Sequence, residues 1–343
     1  MQISELGEFN LIKHLTEKIT LQNSSSEKGV GDDAAVIFSD TKRVLATTDI
    51  LLEGIHFDLI YTPLKHLGYK AAVVNFSDIY AMNGTPKQLL VTIGLSKRFE
   101  VEQVEEIYSG ILLACEKYGV DLVGGDTSAS LTGLTLSITC LGEAEKDKIV
   151  YRNGAKENDL ICVSGNLGAA YMGLQLLERE KKVFQQVQSP DFQPDFTAKE
   201  YVLERQLKPE ARKDIIEKLM KNNILPTSMI DISDGLSSEI LHICTQSDCG
   251  CVVYEDKIPI DYQTAATAEE FNMNLTTVAL NGGEDYELLF TISIADYEKI
   301  KDIEDIHIIG HIAAKENGCH LLTRDNQQIA FKAQGWNSIL NLE

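Results

Sequence analysis

The placement of its acids most constrains what this chain can become. Five short segments set Asp or Glu beside glycine or small residues inside otherwise apolar sequence: Gly31-Asp32-Asp33-Ala34-Ala35, Thr47-Thr48-Asp49, Gly124-Gly125-Asp126-Thr127, Asp231-Ile232-Ser233-Asp234-Gly235 and Gly282-Gly283-Glu284-Asp285. A further acid, Asp78, interrupts the apolar run Ala71–Ile79, and Asn75, three residues earlier, shares its helix face. A buried carboxylate without a partner is costly, so acids in such surroundings are normally paired or metal-bound. Glycine beside them lets the backbone approach a ligand closely. Taken singly, each segment reads equally well as a turn or a helix cap; Asp231-x-x-Asp234-Gly235 suits the start of a helix. Taken together, with almost no Lys or Arg among them, they read as ligands for hard divalent cations. Oxygen donors without His or Cys indicate magnesium rather than zinc.

Carboxylates gathered around magnesium most often serve a polyphosphate. The chain has no G-x-x-x-x-G-K-[ST] and no paired H-R-D and D-F-G, which excludes P-loop enzymes and protein kinases. Ser164-Gly165-Asn166-Leu167-Gly168 falls between a strand and a helix, a turn suited to anions but equally explained as a plain connection.

Length and pattern give the organisation. With 343 residues, 44% of them apolar and 24% charged, the chain suits two soluble domains. Strands are expected at 43–48, 88–95 and 134–141, and helices over His66–Met82 and Val101–Tyr118, so the first half reads as α+β. The polar stretch Glu143–Asn158 puts a boundary near residue 147, giving domains 1–147 and 148–343. Beyond it, a buried-type strand at Asp159–Ser164 leads into a helix from Ala169, and Val183–Thr197 reads as a surface loop. Helices are expected around 198–221 and 235–246, strands near 286–293 and 307–312, and a hairpin around Asp325-Asn326. The net charge of −21, with no basic cluster, argues against nucleic acid. No apolar run approaches the roughly 20 residues of a membrane span. Met1–Ile12 lacks the basic start and apolar stretch of a signal peptide, so the cytoplasm is the expected location. The seven cysteines lack metal-type spacing in sequence and read as reduced thiols, mostly small core residues.

At this point a resemblance becomes specific. G-V-G-D-D-A-A-V at 29–36, T-T-D-I-L-L-E-G-I-H-F at 47–57, A-V-V-N-F-S-D-I-Y-A-M at 72–82, G-G-D-T at 124–127, D-I-S-D-G-L at 231–236 and G-G-E-D-Y-E-L at 282–288 resemble the thiamine-monophosphate kinase family, in the family's order and across nearly the whole chain. That family shares a superfamily with aminoimidazole ribonucleotide synthetase, selenophosphate synthetase and a hydrogenase-maturation dehydratase. The resemblance implies an N-terminal α+β domain whose sheet completes a barrel across a homodimer, and an α/β C-terminal domain. It places ATP and magnesium between the domains, close to the dimer interface. The implied metal ligands are Asp33, Thr47, Thr48, Asp49, Asp78, Asp126, Asp231 and Asp234, with Asp32 adjacent to the first. ATP contacts are implied at Tyr108, Gly125, Asp126, Arg152 and Ser233, and substrate contacts at His56, Glu284 and Trp336.

The expected reaction is direct in-line transfer of the ATP γ-phosphoryl group to thiamine monophosphate, with no residue acting as general base. An aromatic ring and a carboxylate suit the cationic thiazolium. The alternatives are another ATP-dependent member of the superfamily, such as a purine-pathway synthetase, and a non-catalytic nucleotide- or thiamine-binding regulator. Met1–Val30 has no Cys for selenophosphate chemistry, and the final residues Leu340-Asn341-Leu342-Glu343 carry no Cys for hydrogenase maturation.

Overall fold

Runs of alternating apolar residues in the first half become strands because a period of two buries one face and leaves the other free. The computed structural model describes residues 18–28, 36–37, 42–187 and 194–332. β1 (Ser26–Lys28) and β2 (Val36–Ile37) pair antiparallel as a short ribbon. β3 (Arg43–Leu52), β4 (Thr85–Leu95), β5 (Asp121–Ala129) and β6 (Thr135–Ala144) form a four-stranded sheet in the order β3-β6-β4-β5. It is antiparallel except for the β4–β5 pair.

Two helices, α1 (Leu64–Ala81) and α2 (Val101–Tyr118), lie against this sheet and against each other. Their approach is close enough to require glycine on both sides. A Cβ on Gly68 of α1 would lie 1.9 Å from the Ile107 carbonyl oxygen, and one on Gly110 of α2 would lie 1.9 Å from that of Lys65. Leu45 and Leu51 of β3, Leu89, Val91 and Ile93 of β4, and Leu136 and Ile138 of β6 are buried on the covered face. On the other face of β3, Val44 and Ile50 are 53% and 51% exposed.

One expectation fails here. Gly124-Gly125-Asp126-Thr127 reads in sequence as an acidic loop, yet it lies inside β5, paired in parallel with β4. Glycine is needed there because the strands approach too closely for a side chain: a Cβ on Gly125 would lie 1.8 Å from the Val91 carbonyl oxygen. Thr47-Thr48-Asp49 lies within β3, which continues the strand expected at 43–48 as far as Leu52.

The chain divides into two units, Met1–Ile149 and Val150–Glu343. In the second, β7 (Leu160–Ser164), α3 (Ala169–Val187), α4 (Glu200–Leu207), α5 (Lys213–Lys221) and β8 (Ser228–Asp231) come first. They are followed by α6 (Leu236–Ser247), β9 (Gly250–Tyr254), α7 (Tyr262–Glu270), α8 (Leu275–Asn281) and β10 (Leu288–Ile292). Last come β11 (Ile306–Ala313), β12 (Cys319–Leu322) and β13 (Gln328–Ala330). The helix α3 continues to Val187, past the start of the expected surface loop at Val183; residues 188–193 lie outside those described.

These strands form one sheet in the order β13-β12-β9-β11-β7-β10-β8. An α/β unit implies a mainly parallel sheet, but here only β9 and β12 pair in parallel among the described strands. The reason is topological: β10 inserts between β7 and β8 and runs antiparallel to both. The core combines Ile161, Val163, Ile230, Leu289, Ile309 and Ile312 from the sheet with Leu236, Ile240 and Ile243 of α6. Among the described residues, no helix is long and apolar enough to cross a membrane.

Candidate active site

In the N-terminal unit, the pleat of β3 sorts the predicted ligands by face. Thr47 and Asp49 alternate with Leu45 and Leu51, whereas Thr48 sits with the exposed Val44 and Ile50. Asp78 reaches the first group from α1, and its carboxylate accepts the Thr47 hydroxyl proton at 2.5 Å. Burial, and then the charge of Asp78, push the Asp49 carboxyl up to about 6. Two carboxylates and a hydroxyl thus meet in a partly buried place where like charge is unfavourable. With its proton directed to Asp78, the Thr47 oxygen keeps its lone pairs for a cation. This oxygen-only donor set fits magnesium. One turn before Asp78, the fully buried Asn75 donates from Nδ2 to the Ala71 carbonyl at 3.1 Å, while its Oδ1 has no hydrogen-bond partner.

The other predicted residues of this unit lie elsewhere on it. Thr48 donates to the Ile138 carbonyl at 3.0 Å across the β3–β6 pair. Asp126 is exposed on β5, opposite Thr92 of β4, and its Oδ1 accepts from the Thr127 amide at 2.9 Å. His56 is exposed in the turn after β3, and its Nδ1 accepts from the Leu52 amide at 3.0 Å. Tyr108 is buried in α2, and burial pushes its phenol up to about 12. Asp32, Asp33 and Trp336 lie outside the described residues.

In the C-terminal unit two predicted segments are laced together. The Glu284 amide donates to the Ser233 carbonyl at 2.7 Å, and that of Tyr286 to the Ile232 carbonyl at 2.9 Å. Glu284 takes a positive φ of 56°, a strained conformation held by this lacing. Its carboxylate accepts from Gln206 at 3.1 Å. Asp231 ends β8 and is buried, whereas Ser233, Asp234 and Arg152 are exposed. Glu239, in the first turn of α6, was not among the sequence candidates. It accepts from the Asp234 amide at 2.9 Å, and burial is the main cause that pushes its carboxyl up to about 7, against an opposing charge at Arg152. Asp234-Gly235 followed by an acid in the next helical turn was the available signal.

The glycine-rich turn already holds an anionic group at its helix end. That group is Asp285, which accepts from the Gly168 amide at 2.8 Å at the start of α3. Burial raises the Asp285 carboxyl to about 6, partly offset by Arg205. Two residues on, the buried Glu287 accepts the Ser164 hydroxyl at 2.5 Å, pairs with Arg205 at 2.8 Å and pairs also with Arg212. Of the G-G-E-D-Y-E-L acids, Asp285 and Glu287 therefore hold the unit together, leaving Glu284 partly open.

Comparison with known proteins bears on the whole chain. Residues 31–144 match the family model described as AIR synthase related protein, N-terminal domain. Thiamine-monophosphate kinase of Aquifex aeolicus (strain VF5) is 36% identical over 306 residues, covering 89% of this chain and 92% of that protein. The enzyme of the same name from Bacillus subtilis (strain 168) is 31% identical, covering 97% and 99%. The solved structure of AaThiL complexed with AMPPCP and TMP superposes with a TM-score of 0.74 at 33% identity, covering 98% of each chain.

Proposed function

The chain belongs to the thiamine-monophosphate kinase family, an ATP-dependent kinase of thiamine monophosphate, and we propose that it makes thiamine diphosphate by direct in-line transfer assisted by several magnesium ions. The single observation that carries the activity is similarity to enzymes of that name over nearly the whole chain. The meeting of Thr47, Asp49 and Asp78 supports the metal, because these acids crowd together in a donor set that a hard cation would relieve.

Asp33, Thr47, Thr48, Asp49, Asp78, Asp126, Asp231 and Asp234 would hold the magnesium. When bound, the metal offsets the repulsion between two anionic reactants. Arg152, Gly125, Asp126 and Ser233 serve the nucleotide, and His56, Glu284 and Trp336 serve the substrate. The backbone bond from Glu284 to Ser233 fixes a substrate residue beside a nucleotide residue within one unit. Tyr108 supports the helix packing around the first unit and is the weakest of the assigned nucleotide contacts, since it is buried. The attacking oxygen belongs to a phosphate with a second pKa of about 6, so it is ionised at neutral pH and requires no general base.

Among the described residues, the exposure of Val44 and Ile50 on one face of β3 supports closure of a barrel across a homodimer. We place the enzyme in the cytoplasm, acting on small molecules without nucleic acid or membrane. The test is a coupled assay of ADP release with thiamine diphosphate measured directly. Stoichiometric ADP and thiamine diphosphate, dependent on thiamine monophosphate and magnesium, are expected. ADP release indifferent to thiamine monophosphate would defeat the proposal.

A further inference from the structure

Four cysteines that are scattered in sequence converge in the C-terminal unit. Cys244 lies on α6, Cys251 on β9 and Cys319 on β12, and their Sγ atoms all fall within 4.8 Å of one another. Cys249, between α6 and β9, lies close enough to Cys244 for the two thiols to interact. The backbone enforces this meeting. Asp248 takes a positive φ of 54° at the end of α6, and the Cys249 amide donates back to the Cys244 carbonyl at 3.0 Å. The chain therefore turns at once and returns past Cys244 as β9. There Cys251 stands opposite Cys319 in the parallel β9–β12 pair, and its amide donates to the Gly318 carbonyl at 3.0 Å.

We infer that Cys244, Cys249, Cys251 and Cys319 form a binding site for one soft divalent cation, zinc, held by tetrahedral thiolates. A zinc–sulfur bond of about 2.3 Å sets tetrahedral sulfurs about 3.8 Å apart, so the three mutual neighbours need only a small contraction. Sulfurs this close suit a single ion rather than a multi-iron cluster, whose ligands stand further apart. Soft sulfur donors also separate this site from the oxygen donors proposed for magnesium. Cys244 and Cys251 are buried, while Cys249 and Cys319 are half-buried, which leaves a route of entry. On binding, zinc–sulfur bonds replace sulfur–hydrogen bonds, the protons leave to solvent, and no oxidation state changes. The ion would tie α6 to the β9–β12 edge of the sheet. Packing alone accounts for an isolated buried thiol such as Cys162 in β7, but not for three sulfurs gathered within 4.8 Å of one another with a fourth cysteine beside Cys244.

The experiment uses the full chain, purified under reducing conditions and loaded with zinc alone or cobalt alone. About one zinc per chain should survive dialysis against a weak chelator. The cobalt form should show thiolate-to-cobalt charge transfer and the intense visible bands of a tetrahedral site. Cys251→Ala and Cys319→Ser should lower metal retention at least about tenfold. Cys162→Ala should retain it. Should those variants fail to fold, Cys249→Ser, at a half-buried position, should still weaken zinc retention about tenfold and shift the cobalt bands. Zinc-free protein after loading, a disulfide seen as the loss of two hydrogens, or a cobalt spectrum indifferent to all these substitutions would each overturn the inference.

Discussion

Replacing Asp78 with Asn keeps the side-chain size and an oxygen for the Thr47 hydroxyl, but removes one of the two neighbouring charges. Displacement of the Asp49 carboxyl from 3.8 to about 6 corresponds to about 3 kcal/mol, at about 1.4 kcal/mol per pH unit. Burial is the larger cause and survives the substitution, and the site is partly open to solvent. The share relieved is therefore about 0.5–1.5 kcal/mol after screening. A raised carboxyl binds its proton more tightly in the folded state than in the unfolded one. It costs nothing below 3.8, costs progressively more as pH climbs, and exacts its full cost above about 6. Without metal, the variant should therefore melt higher than the wild type by about 1–6 °C at pH 7, taking 2–4 °C per kcal/mol. The two melting curves should converge toward pH 4. Saturating magnesium and nucleotide should reverse the order, and turnover in the variant should fall about a hundredfold, the scale for one positioned electrostatic group. The assay is scanning calorimetry across pH, with and without metal, beside steady-state ADP release. A folded variant that melts below the wild type without metal at pH 7, or that turns over at the wild-type rate, would refute the reasoning.

Glu287→Ala would take the buried carboxylate shared by Arg205 and Arg212 and leave the Ser164 hydroxyl without it, a loss of about 3–5 kcal/mol. Chemical denaturation should show it as a lower midpoint with Glu287→Gln in between, and a midpoint equal to the wild type would contradict the assignment. Gly110→Ala would press a methyl against the Lys65 carbonyl and should cost about 1–3 kcal/mol or more by separating α1 from α2, read as a lowered melting temperature. The rate at saturating magnesium and ATP should rise through the substrate phosphate pKa of about 6 and stay flat toward about pH 8.5. His56→Asn should leave that profile's shape unchanged, because Nδ1 already accepts the Leu52 amide; a limb lost in the variant at unchanged substrate affinity would make His56 a base.

Much was legible in the sequence where the signal is local. Apolar recurrence gave α1 and α2 to within a few residues, since one buried helical stripe suffices to define such an element. The acids of the Thr47-Thr48-Asp49 segment and of Asp78 were legible as a set because carboxylates in apolar sequence require an explanation. Their division was not: only the pleat of β3 decides that Thr47 and Asp49 meet Asp78 while Thr48 faces away. Gly124-Gly125-Asp126-Thr127 gave no strand signal, because Gly125 serves close approach to β4, a partner that local sequence does not show. β8 and β9 are short and exist through their neighbours in the sheet, so periodicity over four or five residues missed them. Asp285 stood in a segment that read as metal-binding until tertiary structure brought the Gly168 amide to it, and the part played by Glu287 appeared only when Arg205 and Arg212 came to it from distant stretches. The cysteines follow the same logic, since spacing in sequence hides a cluster assembled by the parallel pairing of β9 with β12. Residue types and local patterning thus set the chemistry available to the chain. Which groups meet is decided by strand register and long-range pairing, whose energies depend on contacts between residues far apart in sequence.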